Sequence, residues 1–238
     1  MYRVVSIKSL IVIVILVFVL SFLLVGFLYS LVVSKGLMAT ISADIGRIFS
    51  LSSTLANASL LFFASNKWFF RQIWRAYRLV DEDAFPDISG KWDVELRSNF
   101  PIYSKLVDSA LHKTSAFNVL TDIDDNDGGL KLMKGEAEID VSFLRIEIRL
   151  KFYDDKYPSR SVTLSASPIK KSAGLTGHQL AYVYQSSRPD TVPNDHPEHL
   201  GAARVDVIDN GQALTGIYWT NRNWKQAANT AGRITYSR

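Results

Sequence analysis

The densest chemistry in the sequence is a group of aromatic rings beside arginine and hydroxyl side chains, gathered near its end. Leu214–Arg238 reads LTGIYWTNRNWKQAANTAGRITYSR. Tyr218, Trp219 and Trp224 bracket Asn221, Arg222 and Asn223, and Thr230, Gly232 and Arg233 follow. Rings stack on bases, and arginine with hydroxyl donors holds phosphate. Strand side chains alternate, so Tyr182 and Tyr184 share one face, as do Tyr218 and Thr220. A pocket for a ligand carrying bases and phosphates would draw on Tyr182, Tyr184, Tyr218, Thr220, Asn221, Arg222, Thr230 and Arg233. Trp92 either joins the stack or plugs the interior. Ordinary structure accounts for the same residues: strands are enriched in aromatics, and Arg222 also fits a solvated turn.

Other chemistries lack their residues. The chain has no cysteine, so thiolate nucleophiles, thiolate metal sites and disulfides are excluded. His196-Pro197-Glu198-His199 fails the helical zinc motif in both spacing and helix context, and reads as a polar loop. Asp122–Gly129 reads DIDDNDGG. Counted as a calcium loop from Asp122, it has Asp127 where the turn needs glycine and Met133 where the bidentate glutamate belongs. Neither G-x-S-x-G nor a phosphate-cradling P-loop occurs. The expectation is a binding protein rather than an enzyme, with no cofactor and no metal.

The elements that must position these residues are strands. Leu144–Phe152, LRIEIRLKF, alternates strictly between apolar and charged residues, as a half-buried strand does. Lys91–Arg97 and Glu136–Phe143 alternate in the same way. Further strands are expected at Ser161–Ser167, Gln179–Gln185, Arg204–Ile208, Ala213–Thr220 and Gly232–Ser237. Asn210-Gly211 is a hairpin signal. Ile102–Ile123 holds either a further strand or a short helix. About eight short strands without helices for βαβ units mean an all-β domain, a sandwich or a closed antiparallel barrel able to hold one small ligand.

Ahead of this domain lie two apolar runs. Ser9–Ser34 is uncharged between Lys8 and Lys35, and Ile48–Asn66 lies between Arg47 and Lys67. A membrane helix needs about 20 apolar residues, so both runs suffice, and the first is too long for a signal peptide. They predict a two-helix transmembrane hairpin over 1–66. Ser52, Ala56 and Asn57 supply the small and polar residues through which membrane helices associate. They would pack on the first helix, on other copies of the chain in an oligomer, or on both. Asn66–Val80 reads NKWFFRQIWRAYRLV, a basic aromatic helix suited to the headgroup region. A linker to residue 86 completes this segment, 67–86, and 87–238 is the β domain. Residues 1–80 carry eight Lys and Arg against one Asp. The flanking basic residues predict cytoplasmic termini. The remainder has 19 basic and 22 acidic residues, which argues against a DNA or RNA duplex as partner.

In order along the chain, several stretches resemble one family. They are the N-terminal hairpin, Pro86–Trp92 (PDISGKW), Gln179–Tyr184 (QLAYVY), Glu198–Gly201 (EHLG), Leu214–Thr220 (LTGIYWT) and Asn229–Ile234 (NTAGRI). The chain resembles the two-transmembrane β-barrel effectors of bacterial CBASS anti-phage systems, the SMODS-associated two-transmembrane β-strand-rich effectors. The resemblance implies a minimal β-barrel that binds a cyclic oligonucleotide, such as a cyclic dinucleotide, made by a CD-NTase. The effector would then oligomerise in the inner membrane, meet membrane lipid and disrupt the bilayer, causing abortive infection. The rival reading, from Gly90-Lys91-Trp92, is a membrane-anchored lipocalin-like carrier of an apolar ligand. A third is a structural membrane protein whose domain binds a protein partner.

Overall fold

The structure, a computed structural model, describes residues 7–33, 37–81, 84–112, 117–118, 129–153, 158–169, 177–188, 197–226 and 229–238. The chain divides into a helical unit, Met1–Val80 with Ser142–Leu144, and a β unit, Asp81–Val141 with Arg145–Arg238. The acidic loop Asp122–Asp127 and His196 lie outside the described residues.

In the helical unit, α1 spans Ile7–Val33 and α2 spans Leu37–Ser65. Both are long and apolar enough to cross a membrane, over Ile11–Leu31 and Asp44–Ser65. α2 begins ahead of the expected run, and its backbone leaves helical geometry at Asp44. The helices pair through small residues. Ser21, Gly26 and Ser30 are buried on α1, and Ile48, Ser52 and Ala56 on α2. Phe18 meets Phe49 edge to face at 5.4 Å. Small side chains let two backbones approach where lipid supplies no hydrophobic drive. Ser52 turns its hydroxyl back to the Ile48 carbonyl at 2.6 Å. Ser52 and Ala56 therefore lie on the buried face within the hairpin, whereas Asn57 is exposed.

Ala56 is 3% exposed, so a larger side chain there must push the helices apart, at about 1–3 kcal/mol. Ala56→Leu is expected to separate α1 from α2. The readout is disulfide crosslinking of cysteines introduced at Phe18 and Phe49, which should fall while a cysteine pair within the β unit is unaffected. α3, Lys67–Val80, follows α2 almost without a break. Asn66 carries the helical bonding through its backbone, and its Oδ1 caps α3 by accepting from the Trp68 and Phe69 amides at 2.9 and 3.3 Å.

The β unit is a closed barrel of eight sequential antiparallel strands. They are β1 Gly90–Ser98, β2 Lys131–Val141, β3 Ile146–Phe152, β4 Ser159–Ile169, β5 His178–Ser187, β6 Glu198–Ile208, β7 Ala213–Thr220 and β8 Ala231–Ser237. β8 pairs back on β1 from Ser98↔Gly232 to Asp93↔Ser237, leaving no free edge. Alternation places one set of side chains inside, including Trp92, Val94, Ile139, Ile148, Leu180, Val205, Leu214 and Tyr236. The other set faces out and carries the charges. Arg149, for instance, pairs with Glu138, Asp140 and Glu147.

Three local readings change. β3 starts at Ile146 because Ser142–Arg145 form the β2–β3 hairpin, leaving Leu144 exposed. The unassigned stretch after β1 contains a helix, α4, Phe100–His112. Glu198 and His199, expected in a polar loop, instead open β6, pairing with Ser187 and Ser186 of β5. The Asn210-Gly211 hairpin is present between β6 and β7. Asp209, Asn210 and Gly211 all adopt positive φ there, a backbone that asparagine and glycine tolerate best.

Candidate functional site

One end of the barrel is filled. Trp92 is 2% exposed, donates its indole N–H to the Ile88 carbonyl at 3.0 Å, and meets Tyr236 edge to face. The Arg238 guanidinium covers the Trp92 ring at 4.0 Å and donates to the Ser89 carbonyl at 2.8 Å. Trp92 is thus a plug, and takes no part in lining the cavity described next.

The other half of the barrel encloses a cavity of about 420 Å³, within the range that holds a small ligand. It lies toward the end where β1 leads to β2, β5 to β6 and β7 to β8. Its aromatic lining is Tyr182, Tyr184, Tyr218, Phe100 and Phe152. At the floor the Tyr182 and Tyr236 hydroxyls hydrogen-bond to each other at 2.5 Å. Burial, above all, raises the pKa of Tyr182, Tyr184, Tyr218 and Tyr236, so all four are neutral phenols at physiological pH. Among the described residues the Tyr218 hydroxyl is buried without a hydrogen-bond partner of good geometry, although Ser98 lies close enough to offset part of its pKa rise. A buried hydroxyl in that state costs folding free energy.

Hydroxyls form the second part of the lining: Ser98, Ser159, Ser161, Ser186, Thr220 and Thr230. Thr220 and Thr230 bond to each other through their hydroxyls at 2.8 Å. The Thr220 Oγ1 also accepts from the Arg222 and Thr230 amides, at 3.4 and 3.3 Å. This knot holds the β7–β8 turn and sets Arg222 against the cavity. The Arg222 guanidinium lies 5.9 Å from the centre of the Phe100 ring at the start of α4.

Charge completes the picture. Lys131, Arg188 and Arg222 line the cavity, and among the described residues no aspartate or glutamate does. Burial, and then the like charge of Arg188, bring the Arg222 pKa down to about 10. Arg222 still carries its charge at neutral pH, held beside another cation. Burial, followed by Arg188, lowers His199 to about 4, so its imidazole is neutral. Cations gathered in one partly desolvated cavity give it a positive potential, which favours an anion.

Of the residues expected to form the site, Tyr182, Tyr184, Tyr218, Thr220, Arg222 and Thr230 come together around this cavity. Three do not. Trp92 is at the plugged end. Asn221 binds the edge of β6, its Oδ1 accepting from the Leu200 amide at 2.8 Å. Arg233 points outward from β8, between the inward Ile234 and the half-buried Gly232. Sequence reasoning missed Lys131, Arg188, His199 and the serines.

No family model matches the chain. The chain is, however, similar to a known protein. Over 190 residues, 79% of this chain and 80% of the relative, the sequence is 23% identical to "CD-NTase-associated protein 15" of Escherichia albertii. That alignment is long enough to take in much of the barrel as well as sequence outside it. The relative's name ties it to a CD-NTase; the two membrane-length helices and the eight-stranded barrel are features of this chain.

Proposed function

We propose that this protein is a membrane-anchored effector of a CBASS anti-phage system whose barrel senses a cyclic oligonucleotide. The observation that carries the reading is the cavity: aromatic and hydroxyl-rich within, with three cations and, among the described residues, no carboxylate in its lining. Bases find rings on Tyr184 and Tyr218, and phosphates find Arg188 and Arg222. The name of the relative supports a partnership with a CD-NTase as the source of the ligand. Binding would then drive self-association in the inner membrane, with both termini cytoplasmic, and membrane disruption would follow. An apolar-ligand carrier would gain nothing from confining Arg188 and Arg222 together, since desolvating like charges is unfavourable.

The full chain in detergent micelles should gain thermal stability with at least one of cyclic di-AMP, cyclic di-GMP and cyclic UMP–AMP, and none with fatty acid. Ligand at 100 times its Kd adds about 2.7 kcal/mol, enough to shift the midpoint by several degrees. Stabilisation by fatty acid alone would overturn the reading in favour of the apolar carrier.

A further inference from the structure

A second cavity of about 370 Å³ adjoins the first, and the two share His199 and Asn223 in their walls. It lies outside the barrel mouth against Leu200, Asn221 and Trp224. Its framework is built. Asn221 and Leu200 clasp each other through the Asn221 amide to the Leu200 carbonyl at 2.9 Å and the Leu200 amide to the Asn221 Oδ1 at 2.8 Å. Trp224 sits just beyond, on the one-turn 3-10 helix Trp224–Gln226. It is 62% exposed, so its ring is open to a ligand from solvent. The Lys225 ammonium lies 5.7 Å from the centre of that ring.

The chemistry of the two cavities differs in the way a two-base ligand requires. The inner one holds the cations. Among the described residues the outer one has no cation in its lining and one carboxylate, Glu198, which accepts from the Gln185 side-chain amide at 2.9 Å. Phosphates are therefore favoured inside the rim, and an uncharged aromatic group outside it. Resting on the cyclic-nucleotide reading above, we infer that the ligand bridges both cavities. One base occupies the inner cavity, the phosphates lie at Arg188 and Arg222, and the second base stacks on Trp224. The outer groove is thus a second base subsite, and it selects ligands carrying two bases over mononucleotides.

The test uses the full chain in detergent micelles, with cyclic di-AMP, cyclic di-GMP and cyclic UMP–AMP as probes and AMP, GMP and UMP as single-base comparators. Trp224→Phe keeps a stacking face, and Trp224→Leu keeps apolar bulk without one. Stacking at an exposed ring falls at the weak end of the usual range, so Trp224→Leu should lose about fivefold in affinity for the bound cyclic dinucleotide. Trp224→Phe should lose less than twofold, and mononucleotide affinities should not change. Equal dinucleotide affinity in wild type and Trp224→Leu, with the wild type still binding, overturns the second subsite and leaves the sensor reading standing. A wild-type protein that binds none of the three cyclic dinucleotides overturns both.

Discussion

Arg222→Ala should leave the melting temperature of the ligand-free protein unchanged or slightly raised, and weaken cyclic-dinucleotide binding about 10- to 100-fold. The two halves of this expectation have one cause. Arg222 is partly desolvated, and both burial and the neighbouring Arg188 charge oppose its protonated state. Removing it relieves that repulsion, while the Thr220–Thr230 knot that shapes the turn uses only the Arg222 backbone amide. Alanine keeps that amide. In the bound state the guanidinium faces a phosphate, and charge-assisted hydrogen bonds are worth about 1.5–3 kcal/mol, which is the quoted loss in affinity. The pattern is that of a functional residue held at the expense of stability. Calorimetry on the detergent-solubilised chain reads the affinity, and a thermal melt without ligand reads the stability. Equal affinities would return Arg222 to the role of a turn residue. A large fall in melting temperature would show that it holds the turn.

The barrel was legible because its strands obey a period of two. LRIEIRLKF puts Ile146, Ile148, Leu150 and Phe152 inside and Glu147, Arg149 and Lys151 toward the outer face, with only the turn at Leu144 misplaced. The start of β6 was hidden for a physical reason. Its inward residues there are Gly201 and Ala203, while Leu200 faces out, so no apolar alternation announces the strand, and Pro197 suggests a loop. That concealed His199. α4 was ambiguous because it carries apolar residues on several faces.

Site residues divide along the same line. Tyr182 and Tyr184, two rings in step on one strand, were easy to pick out as candidates, and both line the cavity. Ser186 on β5, and Arg188 just past its end, continue the same inward parity toward the cavity mouth. A polar residue in step with a buried apolar row was the available signal, and it also marks Ser98 after Leu96. Parity would likewise have excluded two candidates. Arg233 is out of step with Ile234 and Tyr236, and Asn221 with Tyr218 and Thr220. Position along the strand is a further limit: Trp92 has the right parity but lies at the plugged end, and only the register of β1 against β2 and β8 shows which end that is.

Gly201→Ala should nearly abolish ligand binding without unfolding the barrel. A methyl group at Gly201 would meet the far end of the Tyr184 ring, with Cε2 at 2.7 Å, well inside van der Waals contact. The backbone at Gly201 needs no positive φ, so alanine introduces no strain there. The clash is with the tip of a side chain, and the space beside that tip is the cavity. Tyr184 would therefore swing inward and occupy the volume that the ligand needs, at a cost of about 1–3 kcal/mol for the displaced rotamer. Loss of binding alone would not show that Tyr184 is the obstacle, so the double variant decides. Tyr184→Ala by itself removes one stacking surface and should weaken binding by about tenfold. With that ring gone, Gly201→Ala has nothing to displace, and the double variant should bind as well as Tyr184→Ala alone. Such non-additivity is expected only of residues in direct contact. If the losses from the two substitutions simply add, Gly201 acts through the β6 backbone rather than by steering Tyr184 into the cavity.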